Sequence, residues 1–150
     1  SEDALDLARL NASRLGLDHV QLTRSDLFEK VTASFDLIVT NLPYIPSAEI
    51  PTLSREVRRD PISALDGGPD GMDIIRRFLK EAPAHLLPGG SVALEVGHDQ
   101  GQTVADMASQ HGFASVRRLA DLAGIERFVL GTHPGIPKVE APVTAPESLP

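Results

Sequence analysis

The spacing of apolar and polar positions along the chain predicts three helices. Apolar residues recur at helical intervals in three stretches: residues 3–15, 73–86 and 100–110. Ser1 and Gly16 are residue types that commonly begin and end helices, so they fit the two ends of the first stretch. Pro83 lies inside the second stretch, and we expect it to kink or split that helix because proline cannot donate a backbone hydrogen bond.

Between the helical stretches lie short apolar runs with the length of β-strands. The predicted strands are residues 19–23, 35–40, 91–96, 113–119 and 126–130. The run 35–40 is mostly apolar and β-branched, which is typical of a central strand covered on both faces. The link between the last two strands is short, which favours an antiparallel pair at one edge of the sheet.

The order of these elements predicts an α/β fold with a mostly parallel sheet. Helices alternate with strands, and a long, turn-rich loop at residues 47–71 interrupts the alternation. In such folds ligands bind at the carboxyl ends of the strands. The loop that begins at Asn41 follows directly after the predicted central strand, so we expect it to lie at that edge.

Composition narrows the class of protein. A chain of 150 residues fits one domain, and with 41% hydrophobic residues it has the make-up of an ordinary globular protein. We find no apolar run long enough for a membrane span and no leader-like segment, and cysteine is absent, so we expect a cytoplasmic protein without disulfides or thiolate metal sites.

The overall charge argues against a nucleic acid partner. The formal net charge is −7, whereas proteins that bind a nucleic acid backbone normally present a clustered basic face. Arginines at 55, 58, 59, 76 and 77 form the nearest approach to such a face. They could meet an anionic partner, but we favour the interpretation that they form an ordinary solvated surface.

The strongest chemical signal is the sequence Asn41-Leu42-Pro43-Tyr44 after the predicted central strand. It resembles the N-P-P-Y motif of methyltransferases that modify planar amides or exocyclic amines, and the resemblance implies the following chemistry. An amide nitrogen is a poor nucleophile, so an enzyme that modifies it must act mainly by positioning. The Asn41 side-chain oxygen and a loop carbonyl could accept the two N–H bonds of a planar amide, and Tyr44 could stack on it and stabilise a nearby positive charge. Taken alone, the four residues could equally be a turn that ends a strand.

Other candidate sites are weaker. The five histidines show no metal-ligand spacing, so we predict no metal site. The glycine pairs at 67–68 and 89–90 lack the flanking pattern of phosphate loops and indicate turns. Glu95 and Asp99 could form a catalytic carboxylate pair, but we interpret them as residues that fix a loop.

Further segments resemble the HemK-type release factor glutamine methyltransferases in order and spacing. These are A-L-D-G-G-P-D-G at 64–71, L-P-G-G at 87–90 and L-E-V-G-H-D-Q-G at 94–101. The resemblance covers residues 1–131. It implies a Rossmann-like class I fold that uses S-adenosylmethionine and methylates the glutamine in the Gly-Gly-Gln loop of peptide chain release factors.

The resemblance also implies roles for individual residues. Asn41, Pro43 and Tyr44 would be catalytic, and with Leu42 they would bind the substrate amide. Asp26 and Leu27 would flank the adenine of S-adenosylmethionine, and Asn41 would lie beside its methyl group. Release factors would be the protein partners of a monomeric enzyme.

Two departures from the family pattern stand out. Leu42 replaces the first proline of the motif, so the loop loses one fixed φ and gains an N–H donor; we expect this to be tolerated because the backbone carbonyl remains. The strand and glycine-rich turn that hold the methionine moiety are absent, as are the docking helices. We therefore predict a partial catalytic domain at 1–131, with a gap in the middle of its sheet and no activity as an isolated chain, and a disordered, proline-rich tail at 132–150.

Two other functions stay open at this point. The same loop geometry would suit an amino-methyltransferase that acts on adenine in DNA or guanine in RNA. Alternatively, the chain could be a non-catalytic fragment that binds a partner through the loop at 47–60.

Overall fold

In the computed structural model, which describes residues 1–135, the chain forms a four-stranded sheet with helices packed on it. The α-helices and strands of this part are α1 (Glu2–Arg14), β1 (Phe35–Asn41), α2 (Asp73–Glu81), β2 (Leu86–Glu95), α3 (Gly101–Gln110), β3 (Ala114–Ala120) and β4 (Glu126–Thr132). The long loop between β1 and α2 contains three single turns of 3₁₀-helix. All three predicted helices and four of the five predicted strands are confirmed.

The sheet has the order β1-β2-β4-β3. β1 and β2 pair in parallel, whereas β4 runs antiparallel to both of its neighbours, β2 and β3. Consequently β1, β2 and β3 point in one direction and β4 alone in the other. The antiparallel pair predicted at the carboxyl end of the chain is confirmed, and β3 is its edge strand.

The hydrophobic core lies between the sheet and the helices α2 and α3. Its fully buried side chains come from all of these elements: Ile75, Phe78 and Leu79 of α2, Val92 and Leu94 of β2, Val104 and Ala108 of α3, and Val129 of β4. α2 ends at Glu81 and continues as a 3₁₀ turn at Ala82–His85, which contains Pro83. The predicted split of this helix at the proline is thus confirmed.

An aromatic stack fixes the segment between α1 and β1. The ring of Phe28 lies 5.6 Å from that of Phe78 and 4.4 Å from the imidazole of His85, centroid to centroid. Phe28 and Leu27 therefore pack against the core although they belong to no regular element. This contact places the segment near the apolar face of β1.

Two predictions about the sheet are wrong. Residues 19–23 form no strand, and β1 is an edge strand with one partner rather than a central strand. The side chains of Leu37 and Val39 are 57% and 69% exposed. A strand is stabilised by its neighbours, and within residues 1–135 no strand lies on the free side of β1 to pair with it or to connect it to residues 19–23.

The carboxyl end of the described chain is tied to β2. β4 continues to Thr132, and the backbone of His133 exchanges hydrogen bonds with Gly89 and Gly90 at 3.2 and 2.7 Å. The rest of the predicted tail, residues 136–150, lies outside the described residues. None of the helices in residues 1–135 is both long and apolar enough to cross a bilayer.

Candidate active site

The candidate site is built where β1 and β2 end side by side. Asn41 is the last residue of β1 and is paired in register with Glu95, the last residue of β2. Together with Phe128 of β4 they line a pocket of about 180 Å³. Asn41 is exposed, so its amide group is accessible at the carboxyl edge of the sheet, as the sequence predicts.

The loop after Asn41 is held by the turn at residues 64–73. The amide of Ile45 donates to the carbonyl of Leu65 at 3.0 Å, and the carbonyl of Ile45 accepts from Gly67 at 2.9 Å. The amide of Ser47 donates to the carbonyl of Gly68 at 2.9 Å. These backbone bonds clamp the two segments together, so the loop has a defined course despite its lack of regular structure.

Gly71 allows this turn to approach the loop closely. Its φ is +75°, and a Cβ added there would overlap the carbonyl oxygen of Tyr44 and lie 2.7 Å from Nε2 of Gln100. Only glycine fits such a position without strain. The A-L-D-G-G-P-D-G segment thus packs against the backbone of the loop at Tyr44 and Ile45.

Gln100 connects the same loop to the turn after β2. Its Nε2 donates to the carbonyl of Tyr44 at 2.9 Å, and its Oε1 accepts from the amide of Gly97 at 2.9 Å. Only 7% of Gln100 is exposed, so both bonds satisfy polar groups that water reaches poorly. The sequence analysis missed this residue; the only signal was a polar residue within the L-E-V-G-H-D-Q-G segment.

The side chain of Tyr44 is held at its other end. Its hydroxyl donates to Oε1 of Glu95 at 3.3 Å. Burial raises the pKa of Tyr44, the negative charge and hydrogen bond of Glu95 raise it further, and the positive charge of Arg127 lowers it. A tyrosine hydroxyl is already neutral around pH 7, and the net effect moves its pKa further above that pH. Glu95 fixes the loop, as predicted, whereas Asp99 lies exposed at the start of the next turn.

Leu42, Pro43 and Tyr44 of the motif are all half-buried. Leu42 packs against the hydrophobic core, as does Tyr44. Beyond Tyr44 lies a larger pocket of about 340 Å³, lined by polar residues such as Glu49, His98 and Asp99. Asn41 and Tyr44 therefore stand between two concave surfaces at the same edge of the sheet.

The predicted adenine-flanking residues are placed differently from each other. Leu27, with a φ of +44°, lines a shallow apolar pocket of about 280 Å³ on the face of β1. That pocket meets the one at Asn41 through their shared residue Val39. Asp26 lines neither pocket; its carboxylate pairs with the guanidinium of Arg77 at 3.0 Å. The structure thus brings Leu27 toward Asn41 but ties Asp26 to α2.

Comparison with solved structures defines the class of fold. A methyltransferase from Pyrococcus furiosus aligns with 91% of the chain and 60% of its own length, with a TM-score of 0.61 and 22% identity. A ribosomal protein L11 methylase from Lactobacillus delbrueckii subsp. bulgaricus aligns with 88% of the chain and 52% of its own length, with a TM-score of 0.59 and 16% identity. The fold is that of the class I S-adenosylmethionine-dependent methyltransferases.

Sequence comparison defines the family. Proteins named release factor glutamine methyltransferase are 46% identical over 134 residues in Gloeobacter violaceus and 44% identical over 131 residues in Pseudomonas aeruginosa. Each match covers 87% of this chain, and 47% and 48% of the respective relative. No family model matches the chain. The chain is homologous to the release factor glutamine methyltransferases and spans about half the length of these relatives.

Proposed function

We propose that the protein carrying this chain transfers a methyl group from S-adenosylmethionine to the side-chain amide nitrogen of the glutamine in the Gly-Gly-Gln loop of peptide chain release factors. The names of its relatives support the substrate. The observation that carries the proposal is the exposed amide of Asn41 at the end of β1, next to a Tyr44 that is fixed at both its carbonyl and its hydroxyl.

This arrangement suits a reaction that depends on orientation. The lone pair of an amide nitrogen is delocalised into the carbonyl, so the nitrogen must be held in line with the methyl donor. The Asn41 side-chain oxygen and a carbonyl of the loop accept its two N–H bonds, and effective molarities of about 10⁵–10⁸ M indicate what such positioning can supply. The product nitrogen becomes acidic only after transfer, so no general base is needed beforehand.

Tyr44 and Pro43 complete this function. The ring of Tyr44 packs on the planar amide, and its π-face stabilises the positive charge that passes to the nitrogen during transfer. Pro43 fixes one backbone φ and so shapes the turn that presents the tyrosine.

The residues present fit one side of a cofactor site. The apolar face at Leu27 and Val39 is suited to an adenine ring, and it shares Val39 with the pocket at Asn41. The sulfonium of S-adenosylmethionine supplies the methyl group when bound. Asp26 pairs with Arg77 through Oδ2, and its exposed carboxylate keeps lone pairs that can accept from the adenine amino group, so Asp26 and Leu27 both remain proposed adenine contacts.

The test is transfer of labelled methyl to a release factor. We would compare the 150-residue chain with a version joined to the N-terminal half of the Pseudomonas aeruginosa relative. Substrates are the release factor, the same factor with the target glutamine replaced by alanine, and duplex DNA. Label on the intact factor alone is the expected result, and we expect it only with the extended protein. Label on DNA would instead identify an amino-methyltransferase of nucleic acid bases.

A further inference from the structure

Glu95 occupies a distinctive place beside the candidate site. It ends β2, faces Asn41 across the parallel pairing, and accepts the hydrogen bond of the Tyr44 hydroxyl at 3.3 Å. Tyr44 lines the larger pocket and Glu95 the smaller one, so this hydrogen bond joins the two concave surfaces. The residues are 51 positions apart in sequence, and their contact depends on the register of β1 and β2.

We propose that Glu95 is a positioning residue for methyl transfer, which fixes the plane of the Tyr44 ring next to Asn41 by accepting the hydrogen bond of its hydroxyl. This inference rests on the proposed function. Glu95 itself need not touch the substrate, because it acts through the tyrosine.

The need for a second anchor follows from the geometry of the loop. Gln100 holds the carbonyl of Tyr44, which fixes the backbone but leaves the side chain free to change its χ angles. Tyr44 is only half-buried, so packing alone constrains its ring incompletely. A hydrogen bond at the far end of the ring removes that freedom. A stacking surface that is already ordered costs less to organise when the substrate binds.

The charges around the hydroxyl agree with this role. Among the described residues, the charges of Glu95 and Arg127 shift the pKa of Tyr44, Glu95 upward and Arg127 downward. Arg127 also forms an ion pair with Asp121, in which Nε of Arg127 lies 3.3 Å from Oδ2 of Asp121. The carboxylate of Glu95 is therefore the group that both accepts from the phenol and disfavours its ionisation.

A spectroscopic test is straightforward because Tyr44 is the only tyrosine of a chain without tryptophan. Ultraviolet titration of tyrosinate in the full chain reports on this one side chain. Glu95→Gln keeps an acceptor but removes the charge, and Glu95→Ala removes both, so both variants should lower the pKa of Tyr44. Asp36→Asn, at the opposite end of β1, is the charge-matched control and should leave the titration unchanged. A titration that does not respond to either Glu95 variant would overturn the inference.

The activity test uses the extended protein and release factor. We expect Glu95→Ala to lower kcat about tenfold, which corresponds to about 1.4 kcal/mol, and Glu95→Gln to recover most of the loss. In a Tyr44→Phe background Glu95→Ala should have no further effect, since the hydroxyl it serves is gone. An equal loss in both backgrounds would contradict action through Tyr44. If the extended protein without substitutions transfers no methyl group while the titration responds as expected, the proposed function is wrong but the Glu95–Tyr44 contact stands.

Discussion

Replacing Gly71 by alanine tests the support of the Asn41–Tyr44 loop most directly. The new Cβ would overlap the carbonyl oxygen of Tyr44 and lie 2.7 Å from Nε2 of Gln100, so the loop or Gln100 must move. The matched control is Gly112→Ala. Gly112 has a φ of +89°, similar to the +75° of Gly71, but nothing lies within 4 Å of its added Cβ.

The two substitutions share one cost and differ in another. Left-handed backbone costs an L-residue about 1–2 kcal/mol, and both variants incur this. Gly71→Ala additionally separates Gln100 from Tyr44 and leaves a buried polar group without its partner, which costs about 1–3 kcal/mol. The difference between the variants should therefore be about 1–3 kcal/mol. For a chain of this size it corresponds to a melting temperature lower by about 2–12 °C.

Thermal unfolding followed by far-ultraviolet circular dichroism measures this difference. Tyrosine fluorescence, recorded in the same experiment, reports on the loop itself because Tyr44 is the only fluorophore of its kind. If Gly71→Ala is no less stable than Gly112→Ala and its tyrosine emission is unchanged, the turn does not constrain the loop and the argument for a preorganised site fails. A Gly71→Ala variant that is as stable as Gly112→Ala but has altered tyrosine emission would show that the turn constrains the loop and that releasing this constraint costs little free energy.

Three further predictions follow from other contacts. In the extended protein, Asn41→Ala should lower methyl transfer to release factor by at least about 100-fold, while Asn11→Ala on exposed α1 should leave it unchanged; retention of activity within about tenfold would refute the assigned role. Phe28→Ala removes the half-buried ring that stacks on α2 and should destabilise the chain by about 2 kcal/mol in urea unfolding. The hydrogen bond from the Ser47 hydroxyl lowers the pKa of Asp66. The stability that this bond contributes is therefore present above pH of about 4 and is lost as the pH falls through the lower, folded-state pKa. Ser47→Ala should therefore be less stable than the parent at pH 7, with a gap that narrows in acid unfolding titrations.

The sequence indicated most of the fold because the signals of its elements are local. The apolar spacing of α2, including the break at Pro83, depends on neighbouring residues alone. The position of a strand within the sheet does not depend on neighbouring residues alone. The run Phe35–Asn41 is as apolar as a central strand, yet it forms an edge, and residues 19–23 form no strand. Both errors arise because strand formation and burial depend on partners, and no property of these residues reveals which partners the chain provides.

The sequence predicted the site only in part, because some of its contacts also depend on tertiary packing. Asn41 and Tyr44 follow a strand in sequence, so their place at its carboxyl end could be inferred. Gln100 lies 56 residues from Tyr44, and its contact depends on how the turn after β2 packs on the loop. The pairing of Asp26 with Arg77, 51 residues away, could not be foreseen for the same reason. Residue types suggest chemistry, but tertiary packing decides which groups remain free to perform it.

The position of Leu42 illustrates how this packing compensates for a departure in the motif. A proline there would fix one φ of the loop, and leucine does not. The loop is nevertheless held at the residues that follow: the backbone of Ile45 bonds to Leu65 and Gly67, and Tyr44 is anchored through its carbonyl and its hydroxyl. Leu42 itself packs on the core, which a solvent-facing turn residue would not do. Rigidity that a second proline would supply locally is thus supplied by contacts from distant segments, so the leucine is compatible with a site that works by positioning.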